Sequence, residues 1–168
     1  RFDNPRENHS QTGELGLRGQ FATGAVTHAV VASLNLFDSS ERNAWGYNYG
    51  TGLSNKISQP VALTPPPLTG FGGILGSPRE TERIKNTSLA VADTLGFMDD
   101  RVRLTLGLRH QTIEVEGFDA TTGASSGQYE KSRVTPVAGA VFKLRPDLSL
   151  YANYIEGLVK GGTAPATN

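Results

Sequence analysis

The sequence predicts an all-β protein: an antiparallel up-and-down meander of about six strands. Three observations carry that prediction. Long segments alternate apolar and polar residues with a period of two; turn-forming residues separate those segments in pairs; and the 20 glycines of the 168 residues accompany very few apolar sets at helical spacing. Alternation is clearest over 101–111, where Val102, Leu104, Leu106 and Leu108 project to one face and Arg101, Arg103, Thr105, Gly107, Arg109 and Gln111 to the other. A helix would scatter those leucines around its circumference. Alternation leaves open which face meets water. A soluble sheet hides its leucines in a core, and a membrane barrel turns them to lipid around a polar lumen.

The first strand pair is predicted at 14–22 and 26–42 about Thr23-Gly24-Ala25. In its second strand Val26, His28, Val30, Ala32, Leu34 and Leu36 share a face. The second pair runs 85–97 and 101–116 about Met98-Asp99-Asp100, and the third 131–144 and 148–157 about Arg145-Pro146-Asp147. Proline presets φ and aspartate caps its local backbone, so both are turn residues with a mechanism. Asp93 stands out, because it shares parity with Leu89, Val91, Leu95 and Phe97; on a lipid face it is costly unless it sits near the rim. Tyr151, Tyr154, Phe97 and Phe142 lie near tight turns. They fit either an interfacial aromatic girdle or ordinary cross-strand packing.

The connections between pairs are long. Residues 43–84 hold Trp45, Tyr47, Tyr49, the run Thr64-Pro65-Pro66-Pro67 and Thr69-Gly70-Phe71-Gly72-Gly73, a composition that predicts a loop rather than a strand interior; a shorter loop is predicted at 117–130. A meander alternates ends, so the three tight turns fall on one edge of the sheet and both long loops on the other. Compact soluble domains rarely carry loops of that length. Outer-membrane barrels show that asymmetry.

Composition removes several function classes. Sixteen basic and sixteen acidic residues cancel, which leaves no field to recruit nucleic acid. Without cysteine there is no disulfide framework and no thiolate metal site. Hydrophobic residues at 37% and charged ones at 19% predict a folded chain. No apolar run approaches the ~18 to 20 residues of a membrane-spanning helix, and 1–6 carry no signal-peptide core; barrel strands need only ~9 to 11 residues each.

Several phrases in the sequence resemble TonB-dependent siderophore receptors. They are Phe21-Ala22-Thr23-Gly24-Ala25-Val26-Thr27-His28; the stretch from Asp93 through Met98-Asp99-Asp100 to Leu106-Gly107-Leu108-Arg109; Thr135-Pro136-Val137-Ala138-Gly139-Ala140-Val141-Phe142; and Leu148-Ser149-Leu150-Tyr151-Ala152-Asn153-Tyr154-Ile155-Glu156-Gly157. The resemblance covers most of the chain outside 43–84. It implies a 22-stranded transmembrane β-barrel of the bacterial outer membrane, closed by an N-terminal plug, that imports ferric siderophores on energy from a TonB-type coupling protein. On that reading these residues are a mid-barrel piece, a non-enzymatic partial β-barrel domain without its plug, and the N-terminal coupling region lies outside them. The partners implied are the ferric siderophore as transported ligand, the coupling protein, the receptor's own plug and outer-membrane lipid. No cofactor is expected. A soluble all-β ligand-binding module is the second reading, and a serine hydrolase a remote third.

Candidate site residues follow from these readings. Trp45, Tyr47 and Tyr49 alternate just beyond the second strand and offer large, low-entropy surfaces to a bulky iron chelate, as do Phe71 and Tyr129 in the loops; packing on a neighbouring loop is the structural alternative. Arg109 and Arg133 bring positive charge to the polar face, for an anionic ferric complex or for structural carboxylates. Gly123-Ala124-Ser125-Ser126-Gly127 matches the serine-hydrolase elbow only as a string, because no helix signal follows it. Gly70-Phe71-Gly72-Gly73 lacks the lysine of a phosphate loop. His9, His28 and His110 have no metal-ligand spacing, and Asp99-Asp100 reads as turn capping.

Overall fold

The computed structural model describes residues 1–50 and 55–162. Among the described residues nine strands run in chain order: β1 (Phe2–Asp3), β2 (Arg6–Thr23), β3 (Val26–Asn43), β4 (Trp45–Tyr47), β5 (Gly70–Gly72), β6 (Arg79–Phe97), β7 (Val102–Phe118), β8 (Ser125–Arg145) and β9 (Leu148–Ile155). They form a six-stranded sheet in the order β2-β3-β6-β7-β8-β9 and a three-stranded sheet in the order β1-β4-β5. The larger sheet is a strict meander, as the alternating pairs predict. Its strands are longer than expected: β2 starts at Arg6 rather than 14, β6 at Arg79 rather than 85 and β8 at Ser125 rather than 131, while β9 ends at Ile155. The added residues are polar or charged on both faces, so they carry no alternation that would mark them in sequence.

The chain divides into two compact units. One comprises Arg1–Ser10, Ser39–Arg83 and Glu116–Gln128, and the other Gln11–Asp38, Ile84–Val115 and the chain from Tyr129 onward. In the second unit the two faces of the sheet are chemically distinct. On one, Val30, Val91, Leu106, Leu108, Pro136 and Ala138 gather around a shallow apolar hollow, and Leu106 is 48% exposed. On the other, polar side chains bond across strands: Thr94 Oγ1 to Thr105 Oγ1 at 2.8 Å, Arg109 Nη2 to Ser88 Oγ at 3.2 Å and Gln111 Nε2 to Asn86 Oδ1 at 3.3 Å. The buried residues of this unit include Ser88, Gln111 and Thr135, all on the polar face. It is the leucine face that stays open.

Along β7 this arrangement inverts. Up to Arg109 the exposed face is leucine and the other face polar; beyond it Ile113 and Val115 are buried on the face that carries Thr105 and Arg109, while His110 and Thr112, on the leucine parity, both bond the Ser132 hydroxyl. The alternating stretch from Val102 to Arg109 approaches the ~9 to 11 residues that a tilted barrel strand uses to cross a membrane.

The tight turns tie off the opposite ends of the strands. Gly24 turns β2 into β3 at a φ of 62° that favours glycine. Met98, Asp99 and Asp100 all adopt left-handed φ values of 53°, 54° and 63° without a glycine among them. Asp100 offsets the strain: its carboxylate accepts bonds from Arg103 Nη2 at 2.7 Å and from Thr27 Oγ1 at 3.3 Å. The Arg103 hydrogen bond chiefly holds its carboxyl below the usual carboxylate range. Between β8 and β9 the pairs Phe142↔Leu150, Gly139↔Asn153 and Ala138↔Tyr154 fix the register, with a shift between Lys143 and Arg145. That register puts Tyr151 opposite Val141 and Tyr154 opposite Ala138, on different faces, so the two tyrosines do not form one girdle.

Asp93 occupies the apolar face, as its parity predicts, but not as an isolated charge. His28 Nδ1 and Asp93 Oδ2 are hydrogen-bonded at 2.7 Å, and the Phe21 ring stacks on the His28 imidazole at 4.6 Å and 8°. β3 and β6 are neighbours in the sheet yet far apart in sequence, which hides this pair from a reading of either strand alone.

Candidate functional site

The predicted loop 43–84 contains two strands of the smaller sheet. Its register pairs Trp45 with Gly72, Gly46 with Phe71 and Tyr47 with Gly70. Every pair sets one aromatic against one glycine. Side chains alternate faces, so the Trp45 and Tyr47 rings cover Gly72 and Gly70 on one face, where a Cβ on either glycine would overlap the ring; Phe71 covers Gly46 on the other. A Cβ on Gly46 would meet Leu68 Cδ1 at 2.9 Å and Phe71 Cδ1 at 3.3 Å. Glycine, which weakens an isolated strand, here admits an aromatic ring directly onto the backbone. This corrects the prediction of a strandless loop: the two halves pair across more than twenty residues, and neither alone carries a strand signal.

Tyr49 continues the stripe, stacked on Tyr47 at 4.9 Å and 24°. Asn48 between them anchors the chain, donating from Nδ2 to the Pro67 carbonyl at 2.6 Å and accepting at Oδ1 from Gly50 N at 2.7 Å. Exposure separates the aromatics. Trp45 and Tyr47 are 36% and 37% exposed, Phe71 58% and Tyr49 78%. The structure therefore brings Trp45, Tyr47 and Tyr49 together as one tier, leaves Phe71 on the opposite face, and presents Tyr49 and Phe71 as the open surfaces.

The same unit holds the predicted loop 117–130, which is a tight connection over 119–124 rather than a long one. Asp119 Oδ1 accepts from Thr121 N at 3.0 Å, Thr122 N at 2.7 Å and Thr122 Oγ1 at 2.9 Å. The Thr122 backbone bond is the leading cause that holds the Asp119 carboxyl below its usual range. Thr121 in turn receives Gly73 N on its hydroxyl at 3.2 Å and Arg79 Nη1 on its carbonyl at 3.1 Å. Ser125 opens the extended strand β8, so no strand-to-helix elbow forms around it.

The remaining candidates belong to the second unit. Arg133 donates to Glu156 Oε2 at 3.3 Å, the structural pairing foreseen as its alternative, and Tyr154 donates its hydroxyl to the same carboxylate group. The Lys160 ammonium lies 5.7 Å from the centroid of the Tyr129 ring. Arg109 donates to Ser88, and its carbonyl accepts from Thr135 Oγ1 at 3.4 Å. Sequence reading missed Ser88 and Thr135 as its partners; their positions on the polar parity of β6 and β8 were the available signal. No group of three or more His, Cys, Asp or Glu side chains suited to a metal occurs among the described residues.

Residues 1–168 match the family described as TonB dependent receptor-like, beta-barrel. The chain belongs to the TonB-dependent receptor family. It is 35% identical to the ferrichrome receptor FcuA of Yersinia enterocolitica over 156 residues, 93% of this chain and 20% of that protein. Among solved structures it is similar to BauA, the ferric preacinetobactin receptor of Acinetobacter baumannii, at 30% identity and a TM-score of 0.67, covering 99% of this chain and 24% of that one. The ferric citrate transporter FecA in its unliganded form shares the fold at 19% identity and a TM-score of 0.68, over 90% of this chain and 20% of that one. This TonB-dependent receptor chain thus spans about a fifth of the length of the curated relative it matches. The family is one of receptors and transporters, and its relatives here are named for ferric ligands.

Proposed function

We propose that these strands form part of the wall of an outer-membrane receptor that binds ferric siderophores and imports them on energy delivered through TonB. The observation that carries this reading is family membership over the whole chain, with two relatives at 30% identity or more named as ferrichrome and ferric preacinetobactin receptors. The inversion along β7 supports it physically. An exposed leucine face opposite a polar face that buries Ser88, Gln111 and Thr135 is the reverse of a soluble domain, and it suits a sheet with lipid on one side and a wet lumen on the other. A soluble binding module would bury the leucines instead.

On this reading the tight turns face the periplasm, and the strand ends joined by 43–84 and 119–124 face outward. Tyr49 and Phe71 are the aromatic surfaces open to ferric ligand, with Trp45 and Tyr47 holding the small sheet that presents them. Partners outside these residues are the receptor's plug, the TonB-type protein and the surrounding lipid. Ferric iron is cargo rather than cofactor. The test is uptake of radioactive iron as ferrichrome, ferric citrate or ferric preacinetobactin by a receptor-deleted strain carrying the full-length gene. Uptake of at least one chelate, abolished by a protonophore, is expected. Wild-type surface levels of receptor with no uptake of any of the three would overturn the assignment.

A further inference from the structure

On the polar face of the second unit, four neighbouring strands border an open hollow of about 430 Å³, whose polar lining is Thr12, Ser33, Asn35, Asn86, Ser88 and Arg109 and whose apolar lining is Leu36, Phe37 and Ala90. Arg109 is its single charge; no carboxylate lines it. Elsewhere in the unit Arg103 pairs with Asp100, Arg133 with Glu156 and Arg145 with Asp147, whereas among the described residues the half-buried Arg109, like the exposed Arg18 and Arg101, forms no ion pair. One of its nitrogens donates to the fully buried Ser88 hydroxyl at 3.2 Å. A neutral hydroxyl orients a guanidinium but does not balance it, and a half-buried cation without a counter-ion is unfavourable.

The neighbours complete a donor-rich rim. Asn86 spends its carbonyl oxygen on Gln111 Nε2 at 3.3 Å, which leaves its NH₂ for the hollow, and Asn35 Nδ2 reaches Ser33 Oγ at 3.5 Å. One delocalised positive charge with a planar fork of N–H groups, flanked by the Asn86 amide and by hydroxyls and otherwise bordered by apolar side chains, matches one planar monoanion with two oxygens. The geometry points to a carboxylate-binding site centred on Arg109. The occupant is a carboxylate of another segment of the full-length receptor or one carried by the ferric ligand; the second source rests on the receptor reading above, and the site itself does not.

The test labels the full-length receptor in detergent with phenylglyoxal, an arginine reagent, and follows modification at Arg109 by peptide mass spectrometry, with Arg145 as an exposed reference. Sodium acetate is the probe, against sodium chloride at equal ionic strength. Charge-assisted bonds to a carboxylate predict that acetate slows modification of Arg109 by about tenfold and that of Arg145 far less. If a segment of the receptor already fills the site, Arg109 is slow in chloride and acetate alike, and Asn86→Asp, which brings a rival carboxylate, leaves that rate unchanged while weakening receptor stability. If the ferric ligand is the source, ferric citrate protects Arg109 and ferrichrome, a hydroxamate chelate, does not. Equal, fast labelling of Arg109 and Arg145 in chloride, acetate and both chelates would overturn the inference, whether or not the receptor imports iron. Arg109→Lys, which keeps the charge and loses the fork, is checked for heat-modifiable gel mobility to confirm a folded barrel.

Discussion

The two sheets use the same alternation to opposite ends. In the central strands of the six-stranded sheet one face is apolar and open while the polar face holds the buried Ser88, Gln111 and Thr135, so stability rests on cross-strand hydroxyl, amide and guanidinium bonds and on what covers the leucines. In the three-stranded sheet every β4–β5 pair matches an aromatic ring with a glycine, and stability rests on rings seated against backbone. Period-two patterning specifies facing in both. The solvent each face meets decides what the pattern means.

Four tests break or sharpen that contrast. The largest effect is expected at Leu106: Leu106→Arg in the reconstituted full-length receptor should cost ~2 to 4 kcal/mol, measured by denaturant unfolding in lipid, while Thr105→Arg next to it should be mild. The reverse order would return the leucines to a soluble core. Gly72→Val should cost ~1 to 3 kcal/mol by driving a branched side chain into the Trp45 indole. Hydrogen exchange should quicken at 45–47 and 70–72 and stay unchanged over 102–109. Third, Tyr49→Ala and Phe71→Ala should each weaken ferric-ligand binding by ~1 kcal/mol in a calorimetric titration, with exchange across 45–47 intact; Trp45→Ala should loosen the small sheet first. Unaltered affinity in the Tyr49 and Phe71 variants would remove this sheet from the binding surface.

The smallest effect concerns acid. Backbone bonds from Thr122 and Thr121 hold the folded-state pKa of Asp119 below the ordinary carboxylate value. Its contribution to the 119–124 connection is therefore complete above about pH 4 and lost as pH falls through the lowered value. Corrected exchange rates at Thr121 and Thr122 should rise only in that acid window. Asp119→Asn should show the raised rates already at neutral pH.

The six long strands and their turns were legible because leucines and turn residues mark them locally. Extents were not, since Arg6–Gly13, Arg79–Arg83 and Ser125–Gln128 carry no apolar side chain on either face and resemble loop. β4 and β5 escaped for another reason: three-residue strands carry no periodicity, and the signal was joint, Trp-Gly-Tyr complementary to Gly-Phe-Gly. Pairing across β3 and β6 was likewise illegible, so Asp93 looked unaccompanied until register supplied His28. Arg133 read as either ligand contact or structural ion pair, and Glu156 is present to pair it. Arg109 remained ambiguous because its chemistry depends on three neighbouring strands.

The inversion at Arg109 also acts as a ruler. Sliding β7 along its axis by two residues preserves which side chains face which way, so facing alone cannot detect the error. Depth can. On the receptor reading proposed above, such a slip in one direction carries His110 into hydrocarbon and lifts Val102 out of it, and in the other draws Asp100 in and lifts Leu108 out, each at a cost that grows with immersion. A strand whose two faces exchange character partway therefore encodes vertical position as well as orientation, and during insertion it has a single height at which both halves are satisfied.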